Sequence, residues 1–146
     1  VSTGMIAVAP SSTVSGSEVD ELRRLLGKAG LTEVVDESYM DAVTAVSGSG
    51  PAYGFLFIEA LADAGVRMGL PRDKALRFAA QTLKGSAEMV LKTGAHPGVL
   101  KDAVCSPGGT TIAAVEVLEK KGFRSAVISS ALAAWKRSIE LGKPKS

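Results

Sequence analysis

The chain has 146 residues, of which 46% are apolar and 22% charged, and its formal net charge is +2 at pH 7. This length and apolar content suffice for one ordinary folded domain and exclude disorder as the main state. The near balance of charges predicts neither nucleic acid nor an anionic membrane as a partner. A single cysteine and a single histidine exclude an intrachain disulfide and a Cys/His zinc site, so no metal is predicted.

The chain begins with the pattern of a strand, a helix and a strand. Residues 4–9 are a short apolar run typical of a buried strand, and a Ser/Thr cluster follows them. A helix is then expected with Ser17 as its N-cap and Asp20 as a weak capping-box partner, ending at Gly30. Residues 33–35 read as a second strand. One such unit is too small to bury both faces of a sheet by itself.

Strand patterns disappear after residue 38, and the remainder predicts helices. Ser38 can cap a helix that runs to about Val46, and the Ser/Gly/Pro segment at residues 47–51 is expected to break it. Further helices are expected over residues 51–68, 72–92, 99–104, 111–121 and 124–141.

The predicted helix 51–68 is apolar almost all round. Its charged residues Glu59, Asp63 and Arg67 stand four apart and form one narrow stripe, which also excludes a membrane span. A helix of this kind is buried on nearly all sides. A bundle of this size covers one helix with difficulty, so we expect an interlocked oligomer in which a partner's helices supply the cover. The alternative is a well-covered core within a monomer.

Residues 105–112 are the most informative segment for chemistry. Gly108 and Gly109 allow a tight turn and a close approach of a ligand, and Thr110 and Thr111 bring hydroxyl groups. A helix starts here, so its first N–H groups lack partners and favour a carboxylate or phosphate. The alternative is a helix–helix turn with threonine caps.

Three other features carry weaker signals. Residues 47–51 are glycine-rich before a helix, but they follow no strand and lack Gly-x-Gly-x-x-Gly, so they are no dinucleotide fingerprint and a simple helix break is the alternative. His96 is expected to be a surface or capping residue. Cys105 is expected to be buried rather than nucleophilic, because no histidine adjoins it.

Several stretches together resemble the pyrroline-5-carboxylate reductase family. They are residues 41–53, 65–71 and 96–112, with Gly122-Phe123-Arg124 before the last helix. The similarity covers about residues 39–142. The resemblance implies an N-terminal Rossmann domain that binds NAD(P)H and a C-terminal helical domain that dimerises by interlocking helices, with dimers that can assemble into rings.

The implied fold is mainly α: a helical-bundle dimerisation and substrate-binding domain over residues 39–146, preceded by a short strand-helix-strand remnant of a Rossmann domain over residues 1–38. The Rossmann fingerprint is absent from these 146 residues, and the sequence starts with Val1. We therefore expect a processed or truncated chain that lacks most of the N-terminal nucleotide domain and is inactive by itself.

The resemblance also implies the site residues. The segment 106–111 would hold the carboxylate of the substrate, and Thr111 would hydrogen-bond near the ring nitrogen as the catalytic residue. The substrate-binding residues would be Ser106, Gly108, Gly109, Thr110 and Thr111, and those on the nicotinamide side Ser49, Gly50 and Pro51.

The function implied is the reduction of 1-pyrroline-5-carboxylate to L-proline by NADPH or NADH, the last step of proline biosynthesis, in a cytoplasmic or alternatively mitochondrial homodimer. No general acid is found in the sequence. One alternative is a non-catalytic helical oligomerisation module. Another is a two-domain dehydrogenase of the β-hydroxyacid type, which relies on a lysine in a helix; Lys84 and Lys101 are available.

Overall fold

A computed structural model of the chain describes residues 2–143, and within them the fold is mainly helical. Two short parallel strands flank the first helix, and the helices of the remainder follow. In chain order the elements are β1 (Gly4–Val8), α1 (Gly16–Leu26), β2 (Gly30–Val34), α2 (Met40–Val43), α3 (Gly50–Arg67), α4 (Arg72–Thr93), α5 (Pro97–Ala103), α6 (Thr110–Lys120) and α7 (Phe123–Gly142). The predicted fold class, mainly α after a strand-helix-strand unit, is confirmed.

The chain packs as two compact units. The first unit contains the described residues up to Pro51 together with those from Ser129 onward, and the second unit is Ala52–Ile128. The domain boundary predicted between residues 38 and 39 stays a prediction.

The strand-helix-strand unit has parallel pairing with Gly4 opposite Gly30 and Val8 opposite Val34. The second strand is therefore longer than predicted and begins at Gly30. The first helix correspondingly ends at Leu26 rather than at Gly30. The prediction failed because several glycines lie close together here, and each of them could end a helix.

The predicted cap of α1 at Ser17 was wrong. The N-cap is Ser15, whose backbone is extended and whose side chain accepts the Glu18 N–H. The Glu18 carboxylate in turn accepts the Ser15 N–H at 2.8 Å, which completes a capping box. Glutamate three positions after Ser15 selects this serine over Ser17, whose partner would have been the shorter Asp20.

The segment between the strands and α3 also differs from the prediction. Asp36, not Ser38, is the first cap, because its carboxylate accepts the Ser38 N–H at 2.8 Å. One 3₁₀ turn leads into α2, and Thr44–Gly48 then form a helical turn with π-type bonding, called the wide turn below. The Ser49 N–H closes it on the Thr44 carbonyl oxygen at 2.8 Å.

The expected helix break at residues 47–51 is therefore wrong. Neither Gly48 nor Gly50 has a positive φ, and the backbone passes from the wide turn through Ser49 into α3. Pro51 stands in the first turn of α3, where an amide has no intrahelical partner and its loss does no harm.

Small residues form the core between α3 and α4. Ala62, Ala75 and Ala79 are 1–2% exposed and form one cluster, and Gly65 is buried beside them. A Cβ at Gly65 would lie 3.1 Å from the Ala75 Cβ, so the two helices cross closely. Every buried apolar side chain among the described residues is an alanine.

Most of α3 stays open to solvent within one chain. Phe55 and Leu56 of α3, and Met68 directly after it, are 66–76% exposed, and no large side chain of the described residues is fully buried. The alternative of a well-covered monomer core is therefore wrong. The apolar surface of α3 needs cover from outside the chain, as the oligomer prediction requires.

Two findings bear on partners and metals. Among the described residues, no helix combines the length and apolar character that crossing a membrane requires. The same part of the chain brings together no group of three side chains suited to hold a metal ion.

Candidate active site

The chain turns sharply between α5 and α6, at residues 106–109. The Gly109 N–H donates to the Ser106 carbonyl oxygen at 3.0 Å and closes a four-residue turn. Pro107 takes the second position, and Gly108 takes the third with a φ of +68°. This is the pattern of a type II turn, in which proline presets one backbone angle and glycine accepts the left-handed one.

The helix α6 begins directly after this turn without a side-chain cap. Gly109 is its N-cap, and the first helical bond joins the Ala113 N–H to the Gly109 carbonyl oxygen. The amides of Thr110, Thr111 and Ile112 accordingly have no acceptor among residues 2–143. The alternative of a threonine cap is wrong at this helix. Three free donors at the positive end of a helix dipole suit a carboxylate or a phosphate.

The Ser106 side chain packs against the start of α6. A Cβ at Gly109 would stand 2.3 Å from Ser106 Oγ, which is closer than atoms approach, so any other residue there would displace the Ser106 hydroxyl. The hydroxyl thus adds an O–H donor beside the free amides. Thr111 is half-buried, whereas Ser106 and Thr110 are exposed. The structure brings the predicted substrate-binding residues together around one helix end.

A cation stands on the α5 side of this loop. Lys101 donates a hydrogen bond to the Asp102 carboxylate. That bond is the main reason why the pKa of Lys101 lies above its ordinary 10.5, and burial opposes it. Lys101 is cationic at neutral pH, and its charge is paired with the Asp102 carboxylate. This pairing weighs against it as the free catalytic lysine of a β-hydroxyacid-type dehydrogenase.

His96 is a capping residue, as predicted. Its Nδ1 accepts the Gly98 N–H at 3.0 Å and caps α5. This nitrogen accepts only when it carries no proton. Cys105 is a free, half-buried cysteine whose N–H donates to the Asp102 carbonyl oxygen at 3.0 Å. Neither side chain is arranged as a nucleophile with its base.

The three residues predicted on the nicotinamide side lie in the first unit, at the start of α3. Ser49 and Gly50 are half-buried and Pro51 is exposed. The Ser49 N–H is already bonded within the wide turn, so it is no phosphate donor. A Cβ at Gly50 would meet nothing within 4 Å. The open backbone at Gly50 leaves room for the face of a flat ring.

Sequence reasoning missed one long-range contact in the first unit. The Ser138 hydroxyl of α7 donates to Asp41 Oδ1 of α2 at 2.5 Å, and both residues are half-buried. No spacing rule could signal it, because the two residues are 97 positions apart.

Comparison with known proteins agrees with this description. Residues 37–141 match the family described as pyrroline-5-carboxylate reductase dimerisation. The chain is 51% identical over 143 residues to the pyrroline-5-carboxylate reductase of Escherichia coli, covering 98% of the chain and 53% of that protein. It is 60% identical over 119 residues to that of Arabidopsis thaliana, covering 82% of the chain and 43% of the relative.

Solved structures give the same picture. A pyrroline-5-carboxylate reductase of Coxiella burnetii superposes with a TM-score of 0.92 at 35% identity, over 98% of this chain and 53% of that one. The pyrroline carboxylate reductase of Plasmodium falciparum, solved with NADP bound, gives 0.87 at 37% identity, over 97% and 54%.

The fold and the matched residues define a helical dimerisation domain. The chain belongs to the pyrroline-5-carboxylate reductase family. It spans about half the length of the curated relatives named above.

Proposed function

We propose that the chain is the substrate-binding and dimerising part of an enzyme that reduces 1-pyrroline-5-carboxylate to L-proline with NADPH or NADH. The observation that carries this proposal is the uncapped start of α6, where three free amides and the Ser106 hydroxyl converge. Family membership supports the substrate, and the NADP of the Plasmodium falciparum relative supports a nicotinamide cofactor.

The substrate is a five-membered cyclic imine that carries one carboxylate. In this proposal the carboxylate accepts hydrogen bonds from the amides of Thr110 and Thr111 and from the Ser106 hydroxyl. Such bonds to a charged acceptor are about twice as strong as neutral ones.

Thr111 is the proposed catalytic residue. With the carboxylate at the helix end, its hydroxyl would hydrogen-bond near the ring nitrogen and fix the plane of the imine. Its half-buried position limits the directions in which the side chain can turn. Catalysis by this chain then rests on orientation and charge complementarity rather than on covalent chemistry.

The reduced nicotinamide, when bound, supplies the hydride that the imine carbon accepts. The ring nitrogen can arrive already protonated, so the chain needs no general acid. His96 is engaged as a helix cap and Lys101 as the partner of Asp102, in accord with this proton balance. Ser49, Gly50 and Pro51 would lie against the nicotinamide, and the nucleotide domain, of which residues 1–38 form one part, would hold the rest of the cofactor.

The proposed enzyme is a homodimer, with a ring of dimers as its further assembly. The matched family is a dimerisation family, and the exposed apolar side chains of α3 require a covering partner. In the same proposal, residues 1–38 belong to the nucleotide domain and residues 39–146 to the helical domain.

The test is oxidation of NADPH and NADH driven by pyrroline-5-carboxylate. It compares the 146-residue chain with the gene product that carries it at full natural length. We expect turnover only from the natural-length protein, and binding of L-proline by both. A natural-length protein that folds and dimerises but neither turns over nor binds proline would contradict the proposal and favour the oligomerisation module.

A Thr111→Ala variant tests the loop. Loss of one hydrogen bond at the ring should weaken proline binding about tenfold, while dimerisation is unchanged. Thr82→Ala on the exposed face of α4 is the matched control and should bind as the parent does. Parental affinity in Thr111→Ala would remove Thr111 from the site.

A further inference from the structure

The hydrogen bond between Ser138 and Asp41 is unlike the ion pairs of this chain. The ion pairs described for residues 2–143 join residues at most nine positions apart, and most of them join two exposed residues of the same helix. The Ser138 contact instead joins the end of α7 to the start of α2 and is part-buried. A short O–H···O⁻ bond is among the stronger hydrogen bonds in proteins, and this one is partly shielded from water.

Asp41 stands one helical turn before the wide turn. The Thr44 hydroxyl donates back to the Met40 carbonyl oxygen at 2.9 Å, and the Ser49 N–H donates to the Thr44 carbonyl oxygen at 2.8 Å. Ala45 in this turn is 2% exposed. Helical backbone therefore runs without a break from Asp41 to Ser49, about 12 Å at 1.5 Å per residue.

A wide turn is a soft element that needs external support. Its bonding is less favourable than that of an α-helix, and such turns are mostly single and often lie at functional sites. The Asp41–Ser138 hydrogen bond fixes the N-terminal end of this segment against α7. The segment delivers Ser49, Gly50 and Pro51, the residues proposed to face the nicotinamide.

We propose that Asp41 and Ser138 are positioning residues for hydride transfer, which hold the wide turn and thereby set the place of Ser49, Gly50 and Pro51. The proposal rests on the proposed function, because it assigns those three residues to the nicotinamide side. Neither Asp41 nor Ser138 touches substrate or cofactor in this scheme.

Ser138→Thr and Ser138→Val are a matched pair for the test. Threonine and valine have the same shape, and only threonine retains the hydroxyl donor. In the natural-length gene product we expect Ser138→Val to lower kcat about tenfold, because small misplacements of reacting groups are costly. KM for pyrroline-5-carboxylate should stay within about twofold, since the substrate loop is held by its own turn. Ser138→Thr should match the parent.

A deuterium isotope effect separates positioning from stability. With deuterium at the transferred position of the reduced nicotinamide, Ser138→Val should show a larger isotope effect on kcat than the parent, because hydride transfer becomes more rate-limiting. A variant that only has a smaller folded fraction would contain fewer active sites, and its isotope effect on kcat would equal that of the parent. Arg137→Ala, which removes an exposed pair with Glu140 in the same helical turn, is the control and should change neither quantity.

Amide exchange at Ser49 gives a readout independent of activity. Ser138→Val should speed exchange of this amide about tenfold through loosening of the wide turn, and Ser138→Thr should not. If Ser138→Val fails to fold, Asp41→Leu and Asp41→Asn replace the pair, because the Asn amide oxygen can still accept the hydroxyl. Equal exchange and equal kinetics in the two members of a pair would overturn the positioning role. A parent without pyrroline-5-carboxylate turnover would overturn the proposed function, and Ser49 exchange would still test the contact.

Discussion

Two segments of this chain contain serine, glycine and proline in similar amounts but differ in backbone conformation. Residues 47–51 stay helical through the wide turn into α3. Residues 106–109 leave the helix, with Gly108 at a φ of +68°. The order of the residues accounts for the difference, because proline before two glycines presets a β-turn and proline after them opens a helix.

The backbone amides of the two segments also differ in whether they have hydrogen-bond acceptors. In the first segment the Ser49 N–H is bonded to Thr44, and the stretch leading to it is capped by Asp36. At the second segment Gly109 provides no side-chain cap, and the first amides of α6 stay free. Glycine content alone therefore does not define an anion site. What defines it is a helix start that no side chain occupies.

The largest expected effect comes from an alanine in the second segment. In Gly109→Ala the new Cβ would lie 2.3 Å from Ser106 Oγ, so the hydroxyl must turn away from its place beside the free amides. We expect proline affinity to fall about 30-fold, because a hydrogen bond to a charged group contributes about 2 kcal/mol. Calorimetric titration of the natural-length protein measures it.

The matched control is Gly48→Ala in the first segment. Its Cβ would lie 3.7 Å from Thr44 Cγ2, an ordinary contact, and proline affinity should stay within about twofold of the parent. An equal loss in both variants would show that the contrast between the segments does not govern substrate binding.

A smaller effect concerns stability. Gly108→Ala must hold a left-handed backbone and should destabilise the protein by about 1–2 kcal/mol. Gly48→Ala has a helical backbone and should stabilise it by about 0.5–1 kcal/mol. Thermal unfolding at one fixed protein concentration compares them. Stability changes of the same sign in the two variants would contradict the difference in backbone conformation between Gly108 and Gly48.

The smallest effect is a dependence of stability on pH at Asp36, the cap of the stretch that leads to the first segment. Hydrogen bonds from the Ser38 side chain and then from its N–H hold the pKa of Asp36 below its ordinary 3.8. Because the folded pKa is the lower one, this stabilisation is complete above the unfolded pKa of about 4 and is lost as pH falls through the folded value.

Unfolding midpoints of the parent and of Asp36→Asn between pH 7 and pH 3 test this. The parent should lose more stability than the variant at the acid end, since the Asn amide does not titrate. If the unfolding midpoints of parent and variant fall equally with pH, the Asp36 carboxylate does not contribute to the pH dependence of stability. Substrate binding at α6, whose N-cap is glycine, has no titrating cap of this kind.

Local chemistry made part of this structure predictable. The Ser-Pro-Gly-Gly turn, the helix after it and the capping role of His96 follow from rules that act over a few residues. The apolar circumference of α3 predicted that one chain could not cover it, and the exposed Phe55 and Leu56 agree.

Competition between equivalent signals and long-range contacts made the rest unpredictable. Neighbouring serines compete for the cap of α1, and the reach of Glu18 decides for Ser15. The wide turn depends on which carbonyl the Ser49 amide selects, a choice that glycine-rich composition does not encode. The bond between Asp41 and Ser138 joins residues 97 positions apart, beyond any periodicity.

Because the open surface of α3 needs a covering partner, the stability of the fold also depends on protein concentration. When association covers Phe55, Leu56 and Met68, mass action links the unfolding equilibrium to protein concentration, and each tenfold dilution weakens a dimer by about 1.4 kcal/mol. Copies that differ elsewhere but share this surface can then pair with one another. A damaged subunit would thus be distributed among intact ones.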